Sequence, residues 1–131
     1  FKTSKGKYVA PVPIENLLNA DNHIELSCVS GPGRPACHAI VQLAEDMRAQ
    51  MREEAFREQA TARLEALLQA VNQEVEDYEK VQFLAVVSEA WDVDNEFLTP
   101  TLKIKRDVVE SYYGPHLDDW YASGDRVIWH G

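Results

Sequence analysis

His23-Ile24-Glu25-Leu26-Ser27-Cys28-Val29-Ser30, then Gly31-Pro32-Gly33-Arg34-Pro35, then Ala36-Cys37-His38-Ala39-Ile40-Val41-Gln42-Leu43 reads as strand, turn and strand. Ile24, Leu26 and Cys28 recur with the period-two spacing of a half-buried strand. The Gly- and Pro-rich centre is a dense turn signal, and Ala36 to Leu43 is apolar enough for a second strand. A hairpin centred on Pro32-Gly33 would set Cys28 and Cys37 roughly opposite each other. That allows two readings, a redox pair or two small reduced thiols buried as hydrophobes. Two cysteines are too few for a disulfide framework and lack paired metal-ligand spacings, which favours free thiols.

Outward from this hairpin, Val81 to Ser88 is a nearly continuous apolar run of strand length, suited to the centre of a sheet. Between the two, from Glu45 to Glu79, the period changes. Met47, Met51, Ala55, Phe56, Ala60, Leu64, Leu67, Leu68, Val71, Val75 and Tyr78 recur at steps of three and four and draw one apolar stripe. A coiled-coil partner, a membrane-surface helix and a Met-rich groove compete with core packing for that stripe. The polar face is net acidic, against the membrane reading, and the heptad is not strict, so core packing is favoured. The length predicts a break near Gln59 to Thr61.

At the N-terminus, Pro11 and Pro13 forbid a helix interior, so the chain is expected to be extended until Pro13 opens a helix over Ile14 to Asn19. Ile14, Leu17 and Leu18 give that helix one apolar face. At the other end, Trp91 to Leu98 is acidic and irregular. Thr99-Pro100-Thr101-Leu102-Lys103-Ile104-Lys105-Arg106 is a compact basic segment leading into helical spacing from Asp107 to Tyr121, interrupted at Gly114-Pro115. No internal repeat stands out. The order β, α, β, β, α(α), β, loop, α predicts one α+β domain over residues 1–131, a small, mostly antiparallel sheet with helices packed on its faces.

The 131 residues carry 13 Lys and Arg against 22 Asp and Glu, a formal charge of −9, with 45% hydrophobic and 27% charged residues. Such a chain can bury a core. Its acidity disfavours nucleic-acid binding, which needs cations massed on one face. No run reaches the roughly 18 to 20 apolar residues of a membrane span, and no leader pattern opens the chain. The expected compartment is the cytoplasm. Phe1-Lys2-Thr3-Ser4 reads like the middle of a strand, as though the chain were a piece of something longer.

His23, His38, His116 and His130 are scattered without ligand spacing, so no metal site is expected. No GxSxG, GxxxxGK[ST] or GxGxxG occurs. Two segments remain, Lys5-Gly6-Lys7-Tyr8-Val9-Ala10-Pro11-Val12-Pro13-Ile14-Glu15 and Leu98 to Arg106. A flexible loop carrying Lys suits a phosphate or carboxylate, because the ammonium is a mobile point charge with three donors. The plainer reading is two solvated polar loops.

Together and in this order, these segments resemble the C-terminal domain of long-chain acyl-CoA synthetases, within the AMP-forming adenylating superfamily. The N-terminal segment, with Phe1-Lys2-Thr3-Ser4 before it, is similar to that family's eighth core motif. The C-terminal segment resembles the tenth, in the Leu-Thr-Pro-Thr-x-Lys-x-Lys-Arg form of the long-chain branch. The resemblance covers essentially the whole chain. It implies an ATP-dependent ligase that makes acyl-AMP and then acyl-CoA, with ATP, fatty acid and Mg²⁺ held mostly by a large N-terminal adenylation domain, this domain's partner. It implies that Lys103 is the adenylation lysine, with Lys105 the alternative two residues on. Leu102 departs from the superfamily's usual Gly. It further implies that the domain rotates after the first step, so that the loop of Gly6, Lys7 and Tyr8 lines the channel for coenzyme A. Lys5, Glu15, Lys105 and Arg106 would play supporting parts. The isolated domain is then expected to be inactive and to hold no cofactor alone, and peripheral membrane attachment of the whole ligase is compatible with the reading. A non-catalytic α+β interaction module that keeps this fold, docking a partner through its long helix, is the alternative.

Overall fold

The computed structural model describes all 131 residues. Helix α1 (Pro11–Asn19) leads into strands β1 (Ile24–Ser30) and β2 (Cys37–Leu43). A short helix α2 (Glu45–Arg48) and the 20-residue α3 (Glu54–Gln73) precede strand β3 (Val81–Val87). Helices α4 (Arg106–Tyr113) and α5 (Leu117–Ser123) flank a 3-10 turn at Gly114–His116, and strand β4 (Val127–His130) follows them.

The four strands form one sheet in the order β1-β2-β3-β4. The α+β class with helices on both faces matches expectation, but the pairing corrects it. Only β1 and β2 run antiparallel; β2–β3 and β3–β4 are parallel. The cause is connection length, because α3 in one crossover and α4 with α5 in the other return the chain to the end from which it started. β4, with four residues, is too short to show a period. As expected, β3 lies inside the sheet, and its pairing with β2 is bulged where Cys37 pairs with Val81 but Ala39 with Leu84.

The sheet separates two apolar layers. One face presents Val29, Ala39, Val41, Leu84 and Val86 to α1 and α3; the other presents Cys28, Ile40, Phe83, Ala85 and Val87 to α4, α5 and the Trp91–Leu98 segment. All seven residues of β2 are buried, and each large side chain so removed from water contributes about 2 kcal/mol. The antiparallel register sets Cys28 against Ile40 and Ser30 against His38. Cys28 and Cys37 thus lie in opposite layers and cannot pair, contrary to the opposed-cysteine geometry the turn suggested.

Two further boundaries differ from the sequence reading. Helix α1 begins at Pro11, with both prolines in its first turn, where a missing N–H costs no hydrogen bond. The helical break falls after α2 rather than near Gln59: Met51 dips into the core between α2 and α3, while Ala60 is buried and Thr61 Oγ1 accepts the Trp129 indole N–H at 2.8 Å, holding that stretch in helix. The apolar stripe of α3, Ala60, Leu64, Leu68 and Val71, is spent on this domain's own core. No helix is long and apolar enough to cross a membrane.

Candidate functional site

Residues Phe1 to Val9 form a small hairpin rather than an extended lead. Lys2 bridges Tyr8, Val9 N–H donates to the Phe1 carbonyl at 2.8 Å, and Thr3 N–H donates to the Lys7 carbonyl at 2.9 Å. At the tip Gly6 has φ +81°, a left-handed conformation that glycine adopts without penalty. Its N–H donates to the Thr3 carbonyl, and Lys7 N–H donates to Thr3 Oγ1 at 3.3 Å. A Cβ on Gly6 would meet nothing closer than Lys2 Cε at 3.9 Å. Tyr8 is 74% exposed, with the Lys2 ammonium 5.7 Å from its ring centroid, and the Lys7 ammonium sits 5.7 Å from that of Tyr78.

The basic segment is also a hairpin. Leu98 bridges Ile104, Thr99 N–H donates to the Lys103 carbonyl at 2.8 Å, and Lys103 N–H donates to Thr99 Oγ1 at 3.1 Å. Its left-handed residue is Leu102, at φ +64° and 64% exposed, so the leucine occupies a backbone conformation that glycine adopts more readily. Lys103 stands in solvent beside an open cleft of about 410 Å³ walled by Val12 and Asn16 of α1, Leu26 of β1, and Leu102, Ile104 and Arg106. Five of the six lysines, Lys2, Lys5, Lys7, Lys103 and Lys105, belong to the two hairpins.

The hairpins root in opposite layers. Phe1 and Val9 pack with the α3 side of the sheet, whereas Phe97, Leu98 and Ile104 pack with the α4 side. The structure therefore does not gather Lys7 and Lys103 around one point. What it brings together is Glu15, on the helix that follows the first hairpin, and Arg106, which follows the second hairpin directly. Glu15 Oε2 accepts a guanidinium N–H of Arg106 at 2.5 Å and the Val29 N–H at 2.7 Å, and Oε1 accepts a second guanidinium N–H at 3.1 Å. Arg106 also donates to the Val29 carbonyl at 3.0 Å. Burial alone would lower the Arg106 pKa, but the Glu15 hydrogen bonds and charge outweigh it and raise the pKa. Glu15 and Arg106 are consequently supports, while Lys5, Lys7, Lys103 and the exposed Tyr8 remain accessible to a ligand.

Elsewhere, buried His38 is pushed down to about 4 by burial and by the Arg34 guanidinium. Its Nδ1 lies 2.8 Å from the Tyr121 hydroxyl, which donates to the Ala36 carbonyl, and its ring stacks on Phe83. It packs the core and faces no cleft. No three His, Cys, Asp or Glu side chains converge on a point where a metal ion could be held. Thr3 and Thr99 pin the two lysines' backbones, a role that no composition or charge signal marks. The signal for them is the pattern Phe-x-Thr-x-x-x-Lys at Phe1 to Lys7 and again at Phe97 to Lys103, a short repeat hidden by dissimilar intervening residues.

The family described as AMP-binding enzyme C-terminal domain matches residues 2–125. The chain belongs to that family. This AMP-binding enzyme C-terminal domain is 27% identical over 136 residues to long-chain-fatty-acid–CoA ligase 1 of Cavia porcellus, covering 94% of the chain and 20% of the ligase. It is 28% identical over 137 residues to the Homo sapiens ligase of the same name, with the same coverage. To a chloroplastic long-chain-fatty-acid–[acyl-carrier-protein] ligase of Arabidopsis thaliana it is 30% identical over 124 residues, covering 91% of the chain and 16% of that ligase. Its fold is similar to part of the A-PCP didomain of a carboxylic acid reductase from Segniliparus rugosus, solved with AMP, with TM-score 0.75, 24% identity and coverage of 93% and 17%. The adenylation domain of a carboxylate reductase from Mycobacterium chelonae gives TM-score 0.76 at 21% identity, with 94% and 19% covered. The domain spans about a fifth of the length of the ligases it matches.

Proposed function

We propose that this chain is the mobile C-terminal domain of an ATP-dependent long-chain fatty acid–CoA ligase, which converts fatty acid, ATP and CoA to acyl-CoA, AMP and pyrophosphate. The observation that carries the reading is the placement of two lysine hairpins in opposite layers of one sheet. A domain docked in one way can offer a single hairpin to an active site, so using both requires it to turn between steps. Two successive half-reactions call for such a device.

In the first step the fatty-acid carboxylate attacks the α-phosphorus of ATP and pyrophosphate leaves. Negative charge concentrates on the non-bridging oxygens at phosphorus, and the Lys103 ammonium, held at its backbone by Thr99 and mobile at its tip, stabilises it. The ligase resemblance supports this role for Lys103. In the second step the hairpin of Gly6, Lys7 and Tyr8 faces the same centre, and the absent side chain of Gly6 leaves room for the extended arm of CoA along the backbone. ATP, fatty acid and any Mg²⁺ would be held by an N-terminal adenylation domain, as the ligase resemblance implies. With its α3 stripe already buried, the alternative of a partner-docking module loses the exposed apolar face on which it rested.

The test is complementation. An adenylation domain of the ligase family supplied without its C-terminal domain should release pyrophosphate from ATP and palmitate faster when this chain is added in trans. Equal rates with and without the chain would count against a catalytic role.

A further inference from the structure

The two lysine hairpins are the same turn built twice. Laid position on position, Phe1 to Val9 falls on Phe97 to Lys105, and three main-chain bonds recur. Val9 to Phe1 answers Lys105 to Phe97, Thr3 to Lys7 answers Thr99 to Lys103, and Gly6 to Thr3 answers Leu102 to Thr99. The side-chain bond is also repeated, because Thr3 Oγ1 takes the Lys7 N–H as Thr99 Oγ1 takes the Lys103 N–H. Gly6 and Leu102 are both left-handed. In each hairpin a lysine follows the left-handed residue and has its N–H and its carbonyl tied to one threonine, so the direction in which its side chain leaves the backbone is fixed in the same way. Lys7 is thus the positional equivalent of Lys103.

Their surroundings differ in charge. Lys103 is followed by Arg106, whose guanidinium Glu15 already engages. Lys7 shares its hairpin with Lys2 and Lys5, and none of the three forms an ion pair with an acidic side chain. Three uncompensated ammonium groups within six residues of a chain with formal charge −9 suit a ligand with several negative charges more than a single carboxylate. We propose that Lys7 binds a phosphate group of CoA during the thioester-forming step, in the way Lys103 meets phosphate during adenylation. The Lys7 ammonium then leaves the ring of Tyr78 for the anion, and Thr3 acts as its positioning residue. The inference rests on the ligase reading and adds to it a phosphate ligand and a threonine brace.

The measurement uses the full-length ligase that carries this domain, supplied with preformed acyl-adenylate and with either CoA or pantetheine, which has no phosphate. Lys7→Met should raise KM for CoA about tenfold, the worth of one charge-assisted contact. It should leave kcat within about twofold and the pantetheine rate unaltered. Lys7→Arg should recover most of the loss, and Thr3→Val should reproduce part of the KM rise without touching adenylation. An unchanged KM for CoA would overturn the proposal. So would equal losses with CoA and pantetheine, which would put the ammonium on the adenylate phosphate instead. Lys103→Ala is the reference: if it slows adenylation while Lys7→Met is silent, only this inference falls, whereas if Lys103→Ala is silent the ligase reading falls with it.

Discussion

Glu15 and Arg106 together satisfy Val29 on the free edge of β1, the carboxylate taking the Val29 N–H and the guanidinium donating to the Val29 carbonyl. An edge strand leaves such groups open to another chain; here a helix that follows one hairpin and an arginine that follows the other satisfy them. The pair therefore ties the bases of both lysine hairpins to the same residue of the sheet.

Glu15→Gln should destabilise the domain by about 2 kcal/mol, since it removes the charge facing a guanidinium that remains partly solvated and so stays below the penalty of a fully buried pair. Urea denaturation of Glu15→Gln, Arg106→Met and the double variant reads this directly. The double variant should cost less than the sum of the singles by about 1 kcal/mol, the signature of contacting residues.

The left-handed tips respond differently to substitution. Gly6→Ala meets open space, so its cost is conformational and should be about 1 kcal/mol. Leu102→Gly removes a strained conformation at a mostly exposed side chain, and the gain roughly cancels the entropy glycine adds to the unfolded chain. Thermal melting should show a lower Tm for Gly6→Ala and little change for Leu102→Gly.

His38 should make stability depend on pH. The folded-state pKa is about 4 against an ordinary 6.5, so between those values the unfolded chain binds more protons. The contribution from burying a neutral imidazole is whole above about pH 6.5, declines on acidification and is lost by about pH 4, in total about 3 kcal/mol. Urea midpoints measured from pH 7 to pH 4 should fall for the parent and fall less steeply for His38→Gln.

Cys28 and Cys37 are pushed up to about 12, chiefly by burial. Neither should react with a thiol reagent such as Ellman's reagent in the folded protein at pH 8, and both should react promptly in denaturant. Mild oxidation of the folded chain should form no Cys28–Cys37 disulfide.

Much of the fold was legible because local period and burial agree. The β1–β2 hairpin, the run Val81 to Val87 and the stripe through Leu64, Leu68 and Val71 each carry their own signal. Strand direction was not legible, because it depends on where crossovers return the chain, and β4 is too short to announce itself. Of the site, the positions of the lysines stand out in an acidic chain, but their bracing does not. Thr3 and Thr99 share a Phe-x-Thr-x-x-x-Lys pattern, but its meaning emerges when four hydrogen bonds in one hairpin are laid beside four in the other. The Glu15–Arg106 pair spans most of the chain, and no local pattern announces a contact at that separation.

In the function proposed above, Lys103 serves adenylation from one orientation of a turning domain. The most direct measurement is the rate of each half-reaction in the full-length ligase bearing Lys103→Ala: acyl-adenylate formation from fatty acid and ATP, and thioester formation from supplied acyl-adenylate and CoA. The first should fall by at least about a hundredfold, the scale of removing a preorganised charge from a transition state, and the second should stay close to the parent's rate. Equal losses in both, or none in the first, would contradict that role.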